Sequence, residues 1–152
     1  MWYRTVTIND LDFGSIVAVW IAPDGNELLV LTHEQTVYWS VREGHALWSV
    51  REKEGGDGLS PDGRIYRDEA SGLFYPVLSP RGGLQLRTHP IGGNIHVHDY
   101  QGTVGVIDPT GATHSLSYES CSDDWFIVTF CESGDHILIA GPRCLVVYAS
   151  LP

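Results

Sequence analysis

Lysine is nearly missing from this chain. Of its nine basic residues eight are arginine, and Lys53 is the single lysine. Against them stand 19 acidic residues, so the 152 residues carry a formal charge of −10. A surface of that sign repels phosphate backbones, which argues against nucleic-acid binding, and it steers a basic protein partner inward. Long apolar runs are missing too. No stretch approaches the ~18 unbroken apolar residues of a membrane span, and the opening MWYRTVTINDLDFG lacks a basic segment followed by an apolar one. Cysteine is scarce: Cys121, Cys131 and Cys144 show no zinc-knuckle spacing, and their odd number argues against a disulfide framework. Cys131 and Cys144 border apolar runs, where a free thiol behaves as a small hydrophobe. These absences lead us to expect a reduced, cytoplasmic protein with no membrane role.

Catalytic motifs are lacking as well. No serine sits in a G-x-S-x-G elbow, and no glycine-rich loop leads into a helix to cradle phosphate. Cys121 lies between two serines upstream of Asp123 and Asp124, with no basic activator beside it. The expectation is a non-catalytic chain without a cofactor. One pattern stands against it. In His96-Val97-His98 the two imidazoles would point the same way from a strand, as a metal site needs. A cupin follows such a pair with a nearby Glu, whereas here none occurs before Glu119. A third ligand would have to come from His89 or His114. A metal-dependent enzyme built on His96 and His98 is therefore an alternative, and a structural or surface role for the pair is preferred.

What the chain does contain is turns and short apolar runs. With 43% hydrophobic residues it is not disordered, and 17 Gly with 8 Pro suit a fold of many tight turns. At this length one domain, residues 1–152, is expected. Its beginning and end spell the same pattern. Val17–Val41, VAVWIAPDGNELLVLTHEQTVYWSV, aligns without a gap on Phe126–Ser150, FIVTFCESGDHILIAGPRCLVVYAS, at an offset of 109 positions. Val19/Val128, Gly25/Gly134, Leu29/Leu138 and Val37/Val146 are identical, and the apolar runs and polar breaks coincide throughout. Between these copies two more turn signals occur, so that Gly25, Gly63, Gly93 and Gly134 mark four hairpin units. Further strands are expected at Tyr3–Ile8, Ile16–Ile21, Ala46–Val50, Leu84–Thr88, Thr113–Tyr118 and Trp125–Phe130. Residues 41–54 are rich in helix formers, but Gly44 and Val50 oppose a helix and favour the strand. Runs such as IVAVWIA and LVVYA are continuously apolar, which marks strands covered on both faces. We expect an all-β fold of about 12–14 short strands in repeated antiparallel units. The first and last units have four strands each and the middle two have three.

Ala22-Pro23-Asp24-Gly25 with Val37-Tyr38-Trp39, and Ser60-Pro61-Asp62-Gly63 with Phe74-Tyr75, resemble the turn and outer strand of a WD-repeat-type β-propeller blade. Gln101-Gly102-Thr103-Val104 with Val106-Ile107-Asp108 and Pro109-Thr110-Gly111 are similar to a closing strand and its exit turn. No Trp-Asp dipeptide ends a strand, and the repeats are unequal. The resemblance implies a small propeller-like array or an open meander of stacked sheets, with a β-sandwich as the alternative. By size, acidity and lack of catalytic motifs the chain also resembles bacterial immunity proteins, which bind and neutralise a cognate toxin or effector, often a basic one. That resemblance implies a protein-binding role, and a general interaction module is the alternative. Candidate contact residues are the acids of exposed loops, Glu52, Glu54, Asp57, Asp68, Glu69, Asp123 and Asp124, with Trp48 or Trp125 as anchor. Tyr66 and Tyr75 border charged loops in the same way. Trp20, Trp39, Phe126, Phe130 and Tyr148 lie in apolar runs and are expected in the core.

Overall fold

Gly25 and Gly134 stand at positive φ, 77° and 80°, and close the same turn. In the first copy the Gly25 N–H donates to the Ala22 carbonyl, the Ala22 N–H to the Glu27 carbonyl and the Asn26 N–H to the Asp24 carboxylate, each at 2.9 Å. In the second, Gly134 donates to Cys131 and Cys131 to His136, both at 3.0 Å, while the Asp135 N–H reaches the Ser133 hydroxyl. Gly63, at φ 72°, repeats the device with Ser60, Ile65 and Asp62. In the fourth turn Gly92, not Gly93, donates back to His89. A left-handed φ costs a residue with a Cβ ~1–2 kcal/mol, and at Gly25 a Cβ would also fall inside the His136 ring. The glycines are required twice over, by the turn and by the neighbouring unit.

The computed structural model describes residues 2–51, 58–98, 103–117 and 125–150. Among them are thirteen strands and a single helical turn, α1 (Asp10–Phe13). The first unit is β2 (Ile16–Ile21), β3 (Glu27–Thr32), β4 (Gln35–Ser40) and β5 (His45–Arg51), a four-stranded antiparallel meander. β5 confirms a strand rather than a helix at 46–50. The second unit is the hairpin β6 (Ile65–Arg67) and β7 (Phe74–Pro76), extended by a single bridge from Leu59 to Tyr66. The third is β8 (Asn94–His98), β9 (Thr103–Ile107) and β10 (Thr113–Ser117). The fourth is β11 (Ile127–Phe130), β12 (His136–Ala140) and β13 (Cys144–Ser150), and β1 (Trp2–Asn9) completes it by pairing with β13. The two ends of the chain thus close one sheet.

The 109-residue repeat is a repeat of register. Trp20, Leu29 and Tyr38 lie opposite one another across β2, β3 and β4, as Thr129, Leu138 and Val147 do across β11, β12 and β13. The sheets stack face to face. Val19, Leu28 and Val30 of the first unit pack on Val6, Leu138, Leu145 and Val147 of the fourth. The other face of the fourth, with Phe130, Ile137 and Ile139, packs on Ile95, Val104 and Leu116 of the third. The other face of the first, with Ala18, Leu29 and Leu31, packs on Tyr66 and Val77 of the second. The spatial order second, first, fourth, third keeps the cyclic order of the chain, as successive blades of a propeller do. Continuous apolar strands follow directly, because the two middle layers are covered on both faces.

Four expectations need correction. Residues 84–88 form no ladder strand. The Leu86 N–H is taken by the Thr129 hydroxyl at 2.8 Å rather than by a carbonyl, and the segment is stitched to its neighbours by Phe130 donating to the Leu86 carbonyl and Ile95 to that of Arg87. The second unit has two strands plus a bridge, since residues 68–73 form a loop instead of extending the ladder. Tyr66 is 2% exposed and belongs to the core. Cys144 is disulfide-bonded, whereas Cys131 is a free, buried thiol.

Candidate functional site

Two clefts open at opposite ends of β2 and β11. At their C-terminal ends a cleft of about 550 Å³ is walled by the first, second and fourth units and the 84–88 segment: Trp20 and Ile21, then Ile65 and Val77, then Leu84 and Leu86, then Thr129 and Phe130. Leu84 is 77% exposed at its mouth, with Arg64 and Glu132 as its charged wall residues. At their N-terminal ends a cleft of about 520 Å³ is lined by Trp125, Pro61, Pro80, Pro142, His33 and Arg81. Trp125 also packs on the core between the first and fourth units, so one face of it is structural and the other meets the cleft.

A third feature lies on the face of the first unit turned to the second. Trp20, Leu29, Tyr38 and Trp48 form one cross-strand row over β2 to β5. The large rings lean together above the fully buried Leu29. Tyr38 stacks on Trp48 with centroids 5.3 Å apart and planes at 9°, Trp20 lies 6.2 Å from Tyr38, and Tyr75 meets Trp20 edge-on at 4.8 Å. All four aromatics are half-buried. Glu27 lies two residues before Leu29 on β3, hence on the same face. Burial chiefly, with the Glu27 carboxylate second, pushes the Tyr38 hydroxyl well above the usual phenol range. Burial and then the Asp68 and Glu27 carboxylates raise Tyr75.

The residues singled out from sequence fall in several places. Trp48 belongs to the aromatic row and Trp125 to the proline-lined cleft. Asp68 is 7% exposed, and its carboxylate accepts the Ser71 hydroxyl at 2.6 Å and the Ser71 and Ala70 N–H groups, so it holds its own loop. Its neighbour Glu69 is exposed. His96 is exposed on β8, and the His98 side chain lies outside the described residues, as do Glu52, Glu54, Asp57, Asp123 and Asp124. Among the described residues no three His, Cys, Asp or Glu side chains gather to hold a metal ion. Sequence reasoning missed the row as a unit, because Trp20 was read as core and Tyr38 only as part of an outer strand. The signal was present in the fixed hairpin registers, which place them opposite Leu29.

Cys131 shows chemistry that composition could not. Burial raises its thiol, but His136 and the Ser133 hydroxyl, 3.2 Å from Sγ, outweigh burial and hold it below its ordinary value. At 2% exposure that thiol is enclosed.

No family model matches the chain, and no curated protein matches it significantly. Among solved structures it is similar to the β-propeller domain of Myceliophteria thermophila Cps50 (Swd1). Identity is 16% over 91% of this chain and 54% of that one, with a TM-score of 0.32. The chain spans about half the length of that domain. The fold class of the present chain rests on its own strands: all-β, in repeated antiparallel sheets.

Proposed function

We propose that this chain is a non-catalytic protein-binding domain, and more finely that it is a cytoplasmic immunity protein neutralising a basic toxin or effector. One observation carries the reading. On a chain of net charge −10, large apolar side chains stand exposed: Ile65, Leu73 and Phe74 on the second unit, Leu84 and Ile91 on the segment leading into β8, and Tyr3, Leu47 and Val50 on the four-stranded sheets. Exposed apolar area framed by charge of one sign is the make-up of an interaction surface, with apolar contacts setting lifetime and rim acids setting encounter rate. The acids Glu52, Glu54, Asp57, Glu69, Asp123 and Asp124 would serve as that rim.

The test is co-expression with the protein encoded beside it. Rescue of growth from a toxic neighbour, with a complex that survives purification, supports immunity; a stable complex without rescue supports a general interaction module. If the complex forms, replacing Asp123 and Asp124 by Asn should slow association and flatten its dependence on salt. An acidic partner, or an association rate indifferent to ionic strength, removes the electrostatic part of the proposal.

A further inference from the structure

The two ends of the stack differ in kind. Core clusters join the second unit to the first, the first to the fourth and the fourth to the third, so the second and third units are the end layers. On the third, Ile95, Val104 and Leu116 face the fourth unit. Alternation turns Asn94, His96, Thr113, Ser115 and Ser117 outward, and all five are exposed. That end is finished for water. On the second unit Tyr66, Tyr75 and Val77 face the first. Alternation then turns Ile65, Arg67, Phe74 and Pro76 outward, with Phe74 66% exposed and Arg67 over its ring. Leu84 extends this face, since it lines one cleft with Ile65, Pro76 and Arg64. An outward sheet face of this make-up is built like an interior layer.

Charge decides what covers it. Residues 58–98 hold four arginines against three acids, whereas the whole chain carries −10. Two copies therefore approach here without the repulsion that acid-rich surfaces impose. The face is also complementary to itself. Asp62 is held by its own turn through the Ser60 hydroxyl at 2.6 Å, Asp68 by its own loop through Ser71, and Arg67 by the Phe74 ring. Arg64 at the turn end of the hairpin and Glu69 at the loop end form no ion pair among the described residues. A two-fold axis running across the strands lays the turn end of one hairpin over the loop end of the other. It brings Arg64 of each copy onto Glu69 of the other.

We propose that the outward face of β6–β7, centred on Ile65 and Phe74, packs on the same face of a second copy of this chain, with two reciprocal Arg64–Glu69 pairs at its ends. This goes beyond the protein-binding reading and does not rest on it. It leaves Tyr3, Leu47 and Val50, with the acids elsewhere on the chain, to a different partner. Three residues per strand make a small interface, so the expected Kd is on the order of 10 μM.

The test is sedimentation equilibrium of the full chain from about 1 to 200 μM, a range that brackets that Kd. A monomer–dimer equilibrium is expected. Phe74→Asp should abolish it, and thermal unfolding checks that this exposed position leaves the fold intact. Arg64→Glu and Glu69→Arg should each weaken association about tenfold, and the two together should restore it, because the reversed pair is again complementary. Leu47→Asp, on the edge strand of the first unit, should change nothing. A chain that stays monomeric throughout, a dimer that survives Phe74→Asp or is lost in Leu47→Asp, or a double variant no tighter than the single ones would overturn the proposal. The protein-binding reading fails separately, if co-expression yields neither complex nor rescue.

Discussion

The first and fourth units share a backbone and differ in what covers it. Their turns make the same hydrogen bonds, their registers are offset by a constant 109 positions, and Leu29 and Leu138 are both fully buried at equivalent places. Yet the neighbours of Leu138 in its row are Thr129, Val147 and Val6, all buried, whereas those of Leu29 are two tryptophans and a tyrosine, all half-buried. The backbone pattern is set by glycine position and apolar alternation within the unit. Side-chain size is set by the next layer. A complete sheet needs small residues to approach, and a short hairpin leaves room that rings fill.

Truncating the two leucines tests that reading with the largest expected effect. Leu138→Ala opens a cavity between two complete sheets that cannot collapse, so a loss of about 3–5 kcal/mol is expected. Leu29→Ala lies beneath rings free on one side to settle, which places it about 1 kcal/mol lower in the same range. Urea unfolding midpoints at unchanged slope measure both. Equal losses would mean that the aromatic row is as rigid as the closed face.

Next in size are the turn glycines. Gly44 stands at φ 77° with nothing within 4 Å of a built Cβ, so Gly44→Ala pays only the left-handed backbone, about 1 kcal/mol. Gly25 has the same φ, but its Cβ would have to displace His136 of the fourth unit. Gly25→Ala should therefore cost clearly more in thermal unfolding, and a double variant with His136→Ala should recover the excess. If the two alanines cost the same, the contact between units at this turn is soft.

Thr129 occupies the place that Trp20 holds in the first unit, and it does a different job. Its buried hydroxyl accepts the Leu86 N–H, the link that ties residues 84–88 to β11. Thr129→Val keeps the shape and removes the acceptor, at a cost of about 1–3 kcal/mol. Amide exchange should report it first at Leu86. Unchanged protection there would show that the segment is held by the bonds that Phe130 and Ile95 donate to its carbonyls.

How much of this was legible beforehand follows from the same contrast. The repeat, the strands β1 to β5 and β9 to β13, and the turn glycines could be read because local patterning decides them. Residues 84–88 could not, since a side-chain hydroxyl 43 positions away replaces a ladder bond. The burial of Asp68 was hidden because a carboxylate that caps its own loop has the composition of a solvated one. Trp48 was flagged as an anchor from its charged surroundings. That it stacks on Tyr38 depended on the pairing of β4 with β5, where a bulge between Tyr38 and Trp39 shifts the register. The acids placed in Glu52–Asp57 and Asp123–Asp124 lie outside the described residues.

The smallest expected effect separates two outer turns that do the same work with different chemistry. Between β4 and β5, Gly44 donates to the Ser40 carbonyl and Glu43 to the Ser40 hydroxyl. Between β9 and β10, Gly111 donates to the Asp108 carbonyl, and the Asp108 carboxylate takes the Thr110 hydroxyl at 2.5 Å, the N–H groups of Thr110 and Ala112, and the His114 ring at 3.0 Å. The Thr110 hydroxyl first and His114 second hold the Asp108 carboxyl well below the usual carboxylate range, against a smaller opposing effect of burial. A carboxyl whose folded value is depressed lends stability above its unfolded value of about 3.9 and loses it as pH falls through the folded value. Acid should therefore loosen the 108–112 turn progressively below pH ~4, while the 40–44 turn, held by a neutral hydroxyl, stays as it was. Proton exchange of the Thr110 and Ala112 amides against that of Glu43 and Gly44 reads the difference directly. In Asp108→Asn the amide oxygen still accepts the backbone bonds but cannot titrate, so the acid response of the turn should vanish. A response that survives Asp108→Asn would assign the acid sensitivity to another group.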